Sequence, residues 1–334
     1  MLFGLRFAAR SENTLDLYEP QLTAIGISTF AMVAAFCSQK LKAHAKLVQF
    51  NEPFVIVFCA INLLFSFTAI FGNLLSIRAL WKASSIPATL KKMFLSLAMS
   101  DLAVGVFVQL ASAVITAVML KVSVSESFFC PTFLTAYYFC LFLLACASFL
   151  NVTAIAVDRL LVIFLHLRYQ ALVTPKRVVV GLISLWLTSG VLASMFISLP
   201  SYNNYVAIVT ELSGILVTTM AYIYVYNVVR HHRIQIQNQT DALPDQAIEV
   251  HREQKSSFNV LFIYAIFLVC NLPNLFCSLW EEDDRSRMSF LVANRVTVFL
   301  VLLNSSLNPL IYCWRYREIR EIVKSAVKKA FPFT

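Results

Sequence analysis

Seven stretches of this chain, 53–77, 93–120, 127–157, 178–200, 205–229, 256–280 and 288–314, each run for at least 23 residues with no more than one charge. That pattern constrains the fold more than any other feature. A helix rises about 1.5 Å per residue, so every stretch is long enough to cross a bilayer core of roughly 30 Å. Backbone polar groups in lipid must be satisfied within the segment itself. The expectation is an all-α membrane protein, a seven-transmembrane helix bundle. Composition agrees: 59% of residues are hydrophobic, 13% are charged and mean hydropathy is +0.73, values foreign to a soluble domain of this length.

Charge sets the orientation. Segments 78–92, 158–177, 230–255 and 315–334 hold 18 Lys and Arg, whereas 121–126, 201–204 and 281–287 hold three. The basic set is therefore expected in the cytoplasm, with the N-terminus outside and the C-terminus inside, as in a multi-pass plasma-membrane protein. The net charge of +9 follows from this topology and from contact with anionic membrane lipid; no nucleic-acid partner is needed to explain it. Residues 1–52 are expected to form an extracellular tail, 53–314 one membrane domain, and 315–334 a cytoplasmic tail. Within the first segment, Leu22 to Cys37 is apolar but short, closer to a signal-anchor core than to a span. At the other end, Ile319, Ile322, Val323, Ala326, Val327 and Ala330 recur at helical spacing with Arg320, Lys324 and Lys328 between them. This is the pattern of a short amphipathic helix on a membrane surface.

Of eight cysteines, only Cys37, Cys130 and Cys277 fall near the outer face, and none forms a Cys-x-x-Cys or Cys/His metal spacing. No phosphate-binding glycine loop, zinc-protease helix or nucleophile elbow is present, so an enzyme is not expected.

The polar residues inside the spans carry the rest. Asp101 interrupts the second stretch and Asp158-Arg159-Leu160 closes the third; Cys270-x-x-Pro273 lies in the sixth and Asn308-Pro309-x-x-Tyr312 in the seventh. Ionisable groups at membrane depth are expensive and mark functional sites. Together with Gly72-Asn73, Leu97 to Leu102, Trp186 and Tyr222, these motifs run in a fixed order, and from residue 53 to about 330 the chain resembles the rhodopsin-like (class A) G-protein-coupled receptors. The resemblance implies a receptor that binds an extracellular ligand and activates a heterotrimeric G protein through outward movement of the sixth helix, with no resident cofactor.

It also assigns roles. Asn73, Asp101, Ser148, Asn304, Ser305 and Asn308 would form a polar pocket in which Asp101 holds a sodium ion; the other reading is a protonated Asp in a packed polar network. Asp158, Arg159, Tyr222, Glu253 and Tyr312 would form the G-protein gate. Glu253 lies twenty residues before Pro273, about 30 Å along a helix and level with Arg159. Leu167 would be the apolar knob entering the G protein. The kink and relay would comprise Phe149, Gly214, Phe267, Asn271, Pro273 and Pro309.

Departures concentrate in that relay. Asn271 stands where the family usually has an aromatic residue, Gly214 where it has proline, and Leu160 and His166 replace the usual Tyr and Pro. Leu141 occupies the position of the amine receptors' aspartate, which argues against a biogenic amine as ligand. The short second outer loop without cysteine, Ser201 to Asn204, resembles the melanocortin branch, alongside some adenosine-receptor-like traits. Ligand-facing candidates are Leu141, Glu211, Asn271, Asn274 and Arg295; Glu211 serves either a ligand or a structural partner. The acidic run Glu281 to Asp284 reads as a solvated loop. The competing reading is an ion- or proton-coupled transporter using Asp101 and Glu211.

Overall fold

The computed structural model describes residues 33–121, 130–165, 168–199, 201–237, 264–279 and 288–330. Among the described residues, six helices are long and apolar enough to cross a membrane: Glu52–Lys82, Ala88–Leu120, Thr132–Leu165, Pro175–Ser198, Asn203–Val228 and Met288–Arg315. A shorter apolar helix, Tyr264–Ser278, falls within the stretch 256–280. In chain order these are spans one to seven, with Tyr264–Ser278 as the sixth. Every predicted stretch thus contains a helix, and the fold is an all-α seven-helix bundle. Several helices overrun the stretches: span two starts at Ala88 and takes in Lys91 and Lys92, and span three runs to Leu165. Lys and Arg are good helix formers, so charge ends the lipid-compatible part without ending the helix.

Local signals place the boundaries. Asn51 caps span one, its side-chain oxygen accepting from the Phe54 amide at 3.1 Å, and Pro53 sits in the first turn. Thr174 with Pro175 does the same for span four.

Span three packs against spans two, four and five, and span one joins span two to span seven. Two devices hold span one in place. First, span two contains a π turn, Val104–Gln109, and span one reaches into it. Asn62 Nδ2 donates to the Gln109 carbonyl at 3.1 Å and Ser66 Oγ to the Gly105 carbonyl at 3.0 Å. Asn62 and Ser66 are four residues apart and share one face. Second, Pro309 has no N–H, which frees the carbonyl of Ser305 four residues earlier. Asn73 Nδ2 donates to that carbonyl at 3.0 Å. Gly72 sits beside the same proline, and a Cβ there would lie 2.9 Å from the Pro309 ring. The Gly72-Asn73 pair is therefore shaped around the seventh-span kink. Trp186 ties span four to span two, its indole N–H donating to Ser96 Oγ at 3.1 Å.

Residues 33–50 form a helix, which the sequence reading did not anticipate. Phe36, Cys37, Leu41 and Leu47 are buried on it, and Phe36 packs edge-on against Tyr138 of span three and Phe196 of span four. Cys37 is disulfide-bonded, while Cys59, Cys140, Cys146, Cys270 and Cys313 are free thiols. The apolar run Leu22 to Cys37 is consequently not one structural unit: its last five residues belong to this helix, and the earlier ones lie outside the described residues.

At the opposite end the helix Arg317–Ala330 turns away after Arg315 and buries Ile319 completely. Its Glu318 carboxylate accepts from the backbone amides of Ser84 (2.7 Å) and Ser85 (3.0 Å) and from both hydroxyls, clamping the turn between spans one and two. The hydrogen bonds to Ser85 and Ser84 hold the Glu318 pKa down at about 2. A depressed carboxyl stabilises the folded form above its ordinary value near 4.5 and loses that contribution as pH falls toward 2. Amide exchange at Ser84 and Ser85 should stay protected at neutral pH and rise across that acid window. Glu318→Ala should expose both amides at every pH; unchanged protection in the variant would remove the clamp.

Candidate functional site

Three polar or open regions lie along the axis of the bundle. The central one surrounds Asp101, which is completely buried. Its carboxylate accepts from Ser305 Oγ at 2.8 Å, Asn308 Nδ2 at 2.6 Å and Ser148 Oγ at 3.3 Å. Spans two, three and seven thus meet on one carboxylate. Asn304 sits one turn from Asn308 on the same face, buried, with its Oδ1 lacking any hydrogen-bond partner. Asn73 joins this group through the Ser305 backbone, not through Asp101.

The second region lies at the end of span three. Arg159 and Asp158 are both buried and paired through Arg159 Nη2, with Nε 3.1 Å from Asp158 Oδ2. The other carboxylate oxygen accepts from the Tyr169 hydroxyl at 2.6 Å, and Tyr169 also meets Thr89 Oγ1 at 3.2 Å. Burial first, and then the bond to Asp158, push the Tyr169 phenol up to about 12, so it stays a donor. Nearby, Tyr222 stacks on Tyr264 of span six at 4.8 Å between ring centroids, and the Tyr264 hydroxyl meets Thr219 Oγ1 at 2.6 Å. Tyr312 is fully buried against Phe94, and its hydroxyl has no hydrogen-bond partner. Glu253 and Leu167, expected at this gate, lie outside the described residues, as do His166 and Glu281 to Asp284.

The third region is a cavity of about 210 Å³ near the end capped by residues 33–50. Leu141, Glu211, Asn271 and Asn274 line it together, as the sequence reading expected of ligand-facing residues. Arg295 is the exception and occupies a separate small pocket. Its guanidinium donates to Thr116 Oγ1 at 2.9 Å and approaches His44 Nδ1 at 3.4 Å. Burial, with the guanidinium second, holds His44 down at about 3; the ring is neutral and Nδ1 is the acceptor. The N-terminal helix supplies this partner, and no spacing rule in the sequence could have paired residues 251 positions apart.

At the cavity floor, Phe149 of span three packs on Phe267 of span six at 5.2 Å. It also lies against Gly214 of span five: a Cβ on that residue would fall 1.6 Å from Phe149 Cε1. The position that usually carries proline is here a slot for an aromatic ring. Asn271 turns inward on its own helix, Nδ2 donating to the Phe267 carbonyl at 2.8 Å. Pro273 follows it within the same helix.

Residues 72–211 match the 7 transmembrane receptor (rhodopsin family). Among curated relatives, the probable G-protein coupled receptor 63 of Homo sapiens is 23% identical over 325 residues, covering 85% of this chain and 75% of that protein. The adenosine receptor A2a of Canis lupus familiaris is 25% identical over 315 residues, covering 81% and 72%. Over these residues the chain is similar to the rhodopsin-like receptors. The similarity is distant, since these identities leave roughly three positions in four changed. The melanocortin receptor 3 of Rattus norvegicus, 24% identical over 183 residues, covers 53% of the receptor and 56% of its own length.

Sequence reasoning missed several residues of this receptor's polar interior. Asn62, Ser66 and Gln109 were legible as polar residues in apolar stretches, but Asn62 and Ser66 donate to carbonyls of the π turn and the Gln109 side chain donates to the Leu302 carbonyl of span seven at 3.4 Å. Tyr169 and Tyr264 carried no signal separating them from other aromatic residues.

Proposed function

We propose that this receptor binds an extracellular ligand in the cavity between spans three, five, six and seven and activates a heterotrimeric G protein at the opposite, cytoplasmic end. The observation that carries this reading is the position of Phe149. One ring lines the ligand cavity, touches Phe267 of the sixth span and belongs to the same apolar core as Tyr222 and Tyr312. A ligand that displaces Phe149 acts on the span that must move. Spans five and six are held together below it by Tyr264, through Thr219 and the Tyr222 ring. Outward movement of span six breaks those contacts and opens the end of span three, where Arg159 and Asp158 meet the G protein. Tyr312, whose hydroxyl lacks a partner in this state, gains one when the gate rearranges.

The residues around Asp101 fit a sodium ion: a carboxylate, two serine hydroxyls and an unpaired Asn304 amide oxygen are the hard oxygen donors such a cation takes. Asp101, Ser148, Asn304 and Ser305 would hold it, and its charge would neutralise the buried carboxylate. Independently of any ion, this group ties spans two, three and seven together, so helix rearrangement must break hydrogen bonds to Asp101.

Nucleotide exchange on a panel of purified heterotrimeric G proteins, with ion flux recorded in parallel, tests the reading. The receptor should accelerate exchange on at least one of them, and Arg159→Ala should abolish that acceleration. Flux without exchange would establish the transporter instead.

A further inference from the structure

We propose that the cavity is built for a small aromatic amine whose ammonium group pairs with Glu211. This deepens the reading of the cavity as the ligand site. Glu211 lines it from the fifth span, and its Oε1 is buried with no hydrogen-bond partner. The other oxygen has one distant donor, Asn274 Nδ2 at 3.5 Å. A carboxylate withdrawn from water this way needs a cation or several donors, and one amide at the edge of hydrogen-bonding range supplies neither.

The neighbours fit an ammonium. Asn271 has committed its side-chain nitrogen to the Phe267 carbonyl, so what it offers the cavity is its acceptor oxygen. Asn274 is fixed from the far side, its Oδ1 accepting from Thr297 Oγ1 at 3.5 Å. An ammonium has three donors and can serve Glu211 and an amide oxygen together. Part of the wall is aromatic: Phe142 and Phe196 stack at 4.3 Å, with Tyr138 and Phe149 beside them, while Lys40 at the same wall lies over the Phe36 and Tyr138 rings. Such rings receive a flat apolar body and favour a nearby cation. A volume of about 210 Å³ suits a small molecule, and Phe36 packs edge-on against Tyr138 and Phe196, two residues of its lining. The anchor lies on span five, which explains how an amine could be read although Leu141 fills the usual aspartate position on span three.

The test uses the purified full-length receptor in detergent and follows its thermal midpoint with phenethylamine, N-acetylphenethylamine and phenylacetate. Phenethylamine should raise the midpoint, and its neutral and anionic counterparts should not. Glu211→Gln should weaken the phenethylamine response about tenfold or more, and Glu211→Asp should keep part of it. No phenethylamine shift in the wild-type protein, an equal shift in Glu211→Gln, or a larger shift with phenylacetate overturns the proposal. If Glu211→Gln fails to fold, the three-ligand comparison on the wild-type protein decides alone. No G protein enters this measurement, so a failure of nucleotide exchange and a failure of amine binding are separate results.

Discussion

Gly214→Ala is expected to destabilise the receptor by about 1–3 kcal/mol and to disturb basal signalling, because the new methyl would overlap the Phe149 ring. The clashing atoms are the far end of that ring, Cε1 at 1.6 Å and Cζ at 2.2 Å, so the strain is relieved by swinging Phe149 away. Relief comes at the expense of the Phe149–Phe267 contact, which joins span three to span six at the cavity floor. Thermal midpoint and basal nucleotide exchange should therefore change together. Restoring the family's usual residue with Gly214→Pro should be at least as damaging, since the pyrrolidine ring fills the same slot. Phe149→Leu in the Gly214→Ala background should recover part of the lost stability, giving a non-additive double-mutant cycle. Additive effects would mean that the ring and the glycine are not coupled.

Asp101→Ala should be the most damaging single change in the interior. It leaves the Ser148, Ser305 and Asn308 donors without their shared acceptor, at about 1–3 kcal/mol for each buried group left unpaired. Asp101→Asn is the sharper probe of the ion. It keeps the volume and one acceptor oxygen but removes the charge a sodium ion requires. Raising sodium at constant ionic strength, with choline as the replacement, should raise the thermal midpoint of the wild-type receptor and leave Asp101→Asn flat. A wild-type midpoint indifferent to sodium would leave Asp101 as a purely protein-bonded group.

How far the site was legible depended on whether a residue's partner was a side chain or the backbone. Asp101, Ser148, Ser305 and Asn308 were readable as one group because a buried carboxylate demands donors and the motif order supplied them. Asn73 was placed in the same group, but its contact is to the Ser305 carbonyl, released because Pro309 four residues later has no N–H to donate. Arg295 was expected at the ligand cavity, since a charge in a span needs a reason. Its reason is Thr116 and the neutral ring of His44, delivered by a helix at residues 33–50 that amphipathic spacing had not announced. Glu211 was read as serving either a ligand or a structural partner; of its oxygens, one is weakly held by Asn274 and the other has no hydrogen-bond partner.

The sequence by itself determined the seven-helix architecture, because backbone hydrogen bonding allows only helices or closed barrels in lipid, and uninterrupted apolar stretches of 23 residues or more fit a helix and not a strand. It also carried the resemblance to the rhodopsin-like receptors, because prolines and buried polar residues at fixed depths are costly and therefore recognisable. Only the tertiary structure decided what those residues touch. The π turn in span two, the slot that Gly214 makes for Phe149, and the Glu318 clamp on Ser84 and Ser85 each join segments far apart in the chain. Their geometry depends on how whole helices rotate and cross, and hydrophobic periodicity does not encode that when most faces of a membrane helix are apolar.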